Sequence, residues 1–235
     1  MSVGQEASEM AFQGFGPQAL PFFKALAFHQ TREWFEQNRE TYEKDIKGPM
    51  GDLVEDLTAG LAKAKIPIKG DRKSSLFRIH RDVRFSLNKD PYKTHAGAAL
   101  TKSGAKNDPG LLYFHLSPQE CFFAAGFYRP DPQELARLRG AAFRAPKAFR
   151  RMAGKLGSVG LALSEEDALK RSPHGFEDVE DPEVAAAIRL KHFICLRPVA
   201  EARLRERALV DDFLAFAAKS LPLLEWGWSA IVDPR

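Results

Sequence analysis

The sequence predicts an α+β fold: one antiparallel sheet of about four to six strands packed with N-terminal and C-terminal helices. Three observations carry this. Apolar residues recur at helical spacing through the first part of the chain. Short alternating segments, separated by turn-formers, then fill residues 76–128. Helical periodicity returns afterwards, broken by one strand-like run. Helices and strands are thus grouped, and a βαβ sheet would need them to alternate.

Residues 1–15, MSVGQEASEMAFQGF, have neither the basic start nor the apolar run of a leader. They read as a loosely ordered lead-in to a single domain over residues 16–235. Gly16 to His29 set Leu20, Phe23, Leu26 and Ala27 on one helical stripe. Thr31 is an N-cap candidate, with Glu33 in the first turn to complement the helix dipole. The helix it opens turns Trp34, Phe35, Tyr42 and Ile46 inward. Gly48-Pro49 breaks that helix and starts another, because proline suits a first helical position.

Leu76 to Phe85 alternates. Phe77, Ile79, Arg81, Val83 and Phe85 fall on one side, Arg78, His80, Asp82 and Arg84 on the other. Period two predicts a strand with one core face and one charged face. Arg81 would then be buried and need a carboxylate, with Glu33, Glu36 and Glu40 as candidates. SLNKDPYKTH follows as a loop, with Asp90-Pro91 as a turn-former. AGAAL, LLYFHL and ECFFAAGFY are further strands of a meander. Pro130 to Phe149 is helical, divided at Gly140 and Pro146, and Ser164 looks like a helix start. KHFICLRPV is the last strand. Glu201 to Leu224 is a long amphipathic helix, with Trp226 and Trp228 sealing the core beyond it.

The composition is that of a soluble globular protein, with 44% hydrophobic and 28% charged residues. Two cysteines in apolar runs, Cys121 and Cys195, exclude a disulfide framework and suit a cytoplasmic setting. No apolar run reaches the ~18 residues of a membrane span, so no membrane partner is expected. The net charge is +4. From Lys69 to Lys102, nine lysines and arginines stand against three aspartates. That excess is larger than the net charge of the whole chain, so the remainder is net acidic and the basic character is local. A local excess of this kind suits an anion-facing site.

No dinucleotide fingerprint, phosphate loop, Cys-x-x-Cys, zinc-protease or nucleophile-elbow motif occurs. The candidates are therefore the charged strand face and the loop after it. Arg78, Asp82, Arg84, Lys89, Tyr92 and Lys93 would hold a multi-anionic ligand, since arginine forks bind phosphate and carboxylate in bidentate fashion. His95 and His80 are the candidate proton-transfer groups. Lys170 and Arg171, before Ser172-Pro173-His174-Gly175, are further candidate donors. A metal held by His80, His95, His115 and Asp82 would lack any close-spaced ligand pair and would face many positive charges. No metal is assigned, and the cofactor is left open.

FRIHRDVRF followed by KDPYKTH resembles the hallmark of domain-of-unknown-function family 2461, conserved bacterial and fungal proteins. REWFEQNRETY, LLYFHLSPQECFFAAGFYRP and LKRSPHGF extend the resemblance over most of the chain. It implies a single α+β domain and motif residues at Arg32, Trp34, Phe35, Arg78, Arg81, Asp82, Arg84, Phe85, Lys89, Pro91, Tyr92, Lys93 and His95, and later at Lys170, Arg171, Gly175 and Phe176. It implies no particular reaction. Leu87 and Asn88 stand where the family's loop usually carries a Lys-Asp pair.

Three functions are compatible with this reading. The first is binding, with or without catalysis, of a phosphorylated or polycarboxylate small molecule. The second is nucleic-acid binding through the same basic stretch, with Phe85 and Tyr92 stacking on bases. The third is a non-catalytic protein-interaction module.

Overall fold

Four strands form one antiparallel sheet in the computed structural model, which describes residues 11–177 and 179–232. β1 (Ala96–Thr101), β2 (Leu111–Leu116) and β3 (Cys121–Phe127) make the expected meander, and β4 (Phe193–Pro198) pairs with β3. Alternation gives the sheet two unlike faces. Leu112, Phe114, Leu116, Phe123 and Ala125 are buried on one face, and the residues that alternate with them along the strands, Tyr113, His115 and Phe122, point the other way.

Helices cover the first face. They are α1 (Ala19–Phe28), α2 (Arg32–Gln37), α3 (Arg39–Tyr42), α4 (Gly48–Lys63), α5 (Pro132–Arg144), α6 (Pro146–Gly157), α7 (Pro182–Arg189) and α8 (Leu209–Val232). α8 sets Phe213 and Phe216 against Phe123, with ring centroids 4.7 and 5.8 Å apart. It also packs on α4, α5 and α6. One continuous core results, running from Phe12 to Ile231. Among the described residues, no helix is long and apolar enough to cross a membrane.

Local chemistry sets most boundaries. Thr31 Oγ1 accepts the Trp34 N–H at 3.2 Å, the expected N-cap. Asp131 and Glu134 form a reciprocal capping box at the start of α5. Pro146 separates α5 from α6, whereas Gly140 stays inside α5. Gly48-Pro49 does not break the chain. A single π-helical turn, Glu43–Lys47, runs straight into α4 and carries Asp45 inward, where its carboxylate accepts the Gln18 N–H at 2.8 Å. No helix starts at Ser164. That segment lies along β4 instead, with the Ser164 N–H donating to the Ile194 carbonyl. Trp226 and Trp228 belong to α8, which extends past the expected end.

Residues 11–15 are not loose. Asp56 accepts the Ala11 and Phe12 amides at 3.1 and 2.9 Å, and Phe15 stacks on Phe114 at 5.6 Å. The rest of the expected lead-in, residues 1–10, lies outside the described residues.

The strand predicted over Leu76 to Phe85 does not form. Residues 76–95 make an irregular arm before β1. It bridges β1 at Leu76–Ala98 and pairs with itself at His80–Tyr92, so no ladder extends. The Phe77 N–H donates to the Gly97 carbonyl, the Arg81 N–H to Pro91 and the Lys93 N–H to Ile79. The bridge puts Leu76 on the core side and sends Phe77 to the outer face, the reverse of the expected phase. Of the four apolar residues assigned to the core, Ile79 is buried, while Phe85 is 96% exposed. Arg81 is half-buried, and among the described residues it makes no ion pair. Glu36, one expected partner, is bound to Arg39 at 2.7 Å.

Candidate anion-binding site

The outer face of the sheet gathers cations and rings. Phe77 meets Tyr113 edge-on at 5.9 Å. Two ammonium groups stand by the Phe77 ring, Lys93 Nζ at 5.6 Å and Lys106 Nζ at 5.1 Å from its centroid. Lys106 Nζ also donates to the Leu76 carbonyl at 2.5 Å. Behind them Tyr113 and His115 project from β2, two residues apart and therefore on one face. The Tyr113 hydroxyl and His115 Nδ1 are 3.1 Å apart. His115 stacks on Phe122 at 4.8 Å on one side and meets the His95 ring at 4.8 Å on the other. Gly97 allows this arrangement, since a Cβ there would fall 2.3 Å from the Tyr113 hydroxyl.

The electrostatics are those of a cation cluster short of counter-ions. Burial lowers the Lys93 ammonium pKa, and Arg78 and Lys106 nearby lower it further. Burial also lowers that of Lys106, against a weaker pull from Asp71. Among the described residues, none of Arg78, Lys93 and Lys106 has a carboxylate within ion-pair distance. Burial pushes both imidazoles down to about 4, with His115 and Lys93 adding to the effect at His95. Near neutral pH both rings are therefore uncharged, and each offers one donor and one acceptor. The Tyr113 phenol is pushed up to about 12 by burial, with Tyr128 and Glu120 adding to it. An anion entering this cluster would relieve cation–cation repulsion and could take hydrogen bonds from two ammonium groups, a guanidinium and an imidazole.

A family model described as a conserved hypothetical protein, DUF2461, matches residues 18–226. The chain belongs to this family. No curated protein and no solved structure matches it.

In this DUF2461 chain the residues singled out from sequence fall into four separate groups. Arg78, Lys93 and His95 belong to the outer-face cluster. Asp82, Arg84 and Lys89 sit at the arm tip and find partners within it: Arg84 binds Asp82 through two nitrogens at 2.9 and 2.7 Å, and Lys89 Nζ donates to the Val83 carbonyl at 3.0 Å. The Arg84 bond holds the Asp82 carboxyl below the usual carboxylate range. Tyr92 is buried, its ring stacked on Phe35 at 4.6 Å, and His80 lies against both rings. These two serve packing between the arm and α2 and do not join Lys93. Lys170 and Arg171 are exposed on the segment beside β4, at the opposite edge of the sheet from β1. Three strand spacings of about 4.8 Å separate the two edges.

Lys106, Tyr113 and His115 complete the cluster; from sequence, His115 is weighed only as a metal ligand, and Lys106 and Tyr113 have no ligand role. The signal for two of them was present. With Leu112, Phe114 and Leu116 inward, Tyr113 and His115 must point outward. Lys106 had no such signal, because it comes from a hairpin loop whose reach depends on where the arm lies. Among the described residues, no three His, Cys, Asp or Glu side chains are grouped to hold a metal ion. Neither thiol is activated: burial raises Cys121 and pushes Cys195 up to about 12.

Proposed function

We propose that this DUF2461 protein binds a phosphorylated or polycarboxylate small molecule on the outer face of its sheet, in the cytoplasm. The observation that carries this reading is the pair of ammonium groups, Lys93 and Lys106, beside the Phe77 ring, with Arg78 close enough to repel Lys93 and, among the described residues, no carboxylate within ion-pair distance of any of the three. By contrast, Arg72 is bound by Asp52 and Glu55, and Arg203 by Glu206 and Asp212. His95 is the residue suited to exchange a proton with a bound anion. It adjoins Lys93 and is neutral before binding. The nucleic-acid alternative has less behind it, because Arg84 is committed to Asp82 and Lys170 and Arg171 lie at the far sheet edge.

Calorimetric titration with inorganic phosphate, pyrophosphate and citrate tests the reading. Lys93→Ala and Arg78→Ala are each expected to weaken binding about tenfold or more, the size of one charge-assisted hydrogen bond. Binding that survives both substitutions unchanged would remove the site from consideration.

A second reading has an observation of its own. Phe85 and Leu87 at the arm tip are 96% and 103% exposed, and exposed apolar groups close together are typical of contact surfaces. On this reading the tip is a protein-interaction element. A partner captured by the wild type and lost by the Phe85→Ser, Leu87→Ser double variant is the expected result. Equal capture by both proteins would dismiss it.

A further inference from the structure

A cavity of about 320 Å³ opens beside the anion cluster, between the β1–β2 hairpin loop and the start of α5. Its size is at the lower end of the ~300–1,000 Å³ of small-molecule sites and well above what one phosphate needs. Lys106 belongs to both places: it lines the cavity, and its ammonium group stands beside Phe77. The cavity is thus where a ligand held by Lys93 and Lys106 would continue.

The cavity wall is rich in fixed acceptors and has one half-exposed ring. Asp108 uses Oδ2 to accept the Ser103 N–H, Asp131 uses Oδ1 to cap α5, and Glu134 uses Oε2 to accept the Asp131 N–H. Each carboxylate is therefore held in place, with its other oxygen uncommitted among the described residues. Tyr128 is 51% exposed, and its ring is contacted by His192 at 4.8 Å and by the Arg129 guanidinium at 5.3 Å. Arg129, beside it, sits in the left-handed region at φ +48°, with its N–H donated to His192 Nδ1 at 3.0 Å. Such backbone is costly for a residue with a Cβ, and its cost is offset by surrounding structure most often at ligand sites. Immobilised carboxylates beside a half-exposed aromatic ring suit hydroxyl groups on a ring with apolar C–H edges. The three carboxylates outnumber Lys106 and Arg129 on this wall, which disfavours a second anion, and the wall gives an alkyl chain little to bury against.

We infer that the cavity takes the polyhydroxylated part of a sugar phosphate whose phosphate sits among Arg78, Lys93 and Lys106. This rests on the anion-site reading and adds the ligand class. The experiment is calorimetric titration with glucose 6-phosphate, inorganic phosphate and adenosine monophosphate on wild type, Tyr128→Ala, Tyr128→Phe and Lys93→Ala. Glucose 6-phosphate is expected to bind at least about tenfold more tightly than inorganic phosphate. Tyr128→Ala should abolish that advantage without changing phosphate affinity, and Tyr128→Phe, which keeps the ring, should retain it. Lys93→Ala should weaken both ligands alike. Phosphate binding with no advantage for the sugar phosphate overturns this inference and leaves the anion site standing. An advantage that survives Tyr128→Ala, or a preference for the nucleotide, also overturns it. Absence of binding by all three ligands overturns the anion site and this inference together.

Discussion

The imidazoles of His95 and His115 meet at 4.8 Å between centroids, one from the chain entering β1 and one from β2. Both are held at about 4 by burial. An unfolded histidine titrates near 6.5. Above that pH both states are neutral and the pair has no effect on stability. Below it the unfolded chain takes up protons that the folded protein refuses, so stability falls from about pH 6.5 down to about pH 4 and then levels off. Melting temperatures across this range should decline with acid in the wild type and decline less in the His95→Gln, His115→Gln double variant. Parallel curves would mean that the pair is not held neutral.

On the proposed anion-binding reading, the same pair ties ligand binding to pH. An anion beside His95 favours the protonated ring and raises its pKa. Affinity for sulfate, which stays dianionic throughout, should therefore increase from pH 8 to pH 5.5 in the wild type, and this increase should shrink in His95→Gln. The measurement is titration at several pH values in buffers of equal ionic strength.

Charges at the arm tip should behave differently from those beside Phe77. Arg84 is bound to Asp82 in water, where an exposed pair contributes little. Arg84→Ala is expected to leave both the urea midpoint and phosphate affinity unchanged, in contrast to Lys93→Ala. Equal losses from the two variants would extend the site to the tip.

Asp56 joins the first described residues to α4 by accepting two backbone amides. Asp56→Ala leaves those amides without their acceptor at a buried position and is expected to cost about 1–3 kcal/mol. Urea unfolding reads this directly, and a change within error would mean that water replaces the carboxylate.

Gly126 is the position in the sheet least tolerant of a side chain. It lies in β3 at φ +126°, and a Cβ would come 2.1 Å from the Phe193 carbonyl oxygen on β4. Gly126→Ala is expected to destabilise by about 3 kcal/mol or more, because the obstructing atom is backbone and the dihedral is itself unfavourable. Near wild-type stability would require β4 to shift away from β3.

What the sequence made legible was the part fixed by local chemistry. Thr31, Asp131 and Pro146 act within one turn, and the alternation in LLYFHL needs only a core on one side. Leu76 to Phe85 was misread because alternation reports which side chains can share a face and not whether a neighbouring strand is there to pair. The arm finds β1 at one bridge and then turns away, so Phe77 swaps sides and Phe85 meets water. Grouping by charge failed for a related reason. Arg84 and Asp82 are two residues apart and find each other, while Lys93 and Lys106 come together only through the hairpin. The exposed Lys170 and Arg171 were grouped with Lys93 by charge, and the sheet keeps them apart.

β4 completes the sheet only after residues 128–192 have passed, whereas the arm, β1, β2 and β3 follow one another without interruption. This difference predicts an order of assembly. Loops within the meander are short and close early, while the β3–β4 pairing must wait for a much longer closure. Arg78, Lys93, His95, Lys106, Tyr113 and His115 all lie in the early part. Pulse-labelled hydrogen exchange during refolding should protect β2 amides before those of β4. The consequence is a chain in which the cation cluster takes shape while the edge that shields β3 is still missing, so slow docking of the C-terminal half would leave a partly built site and an open strand in the same intermediate.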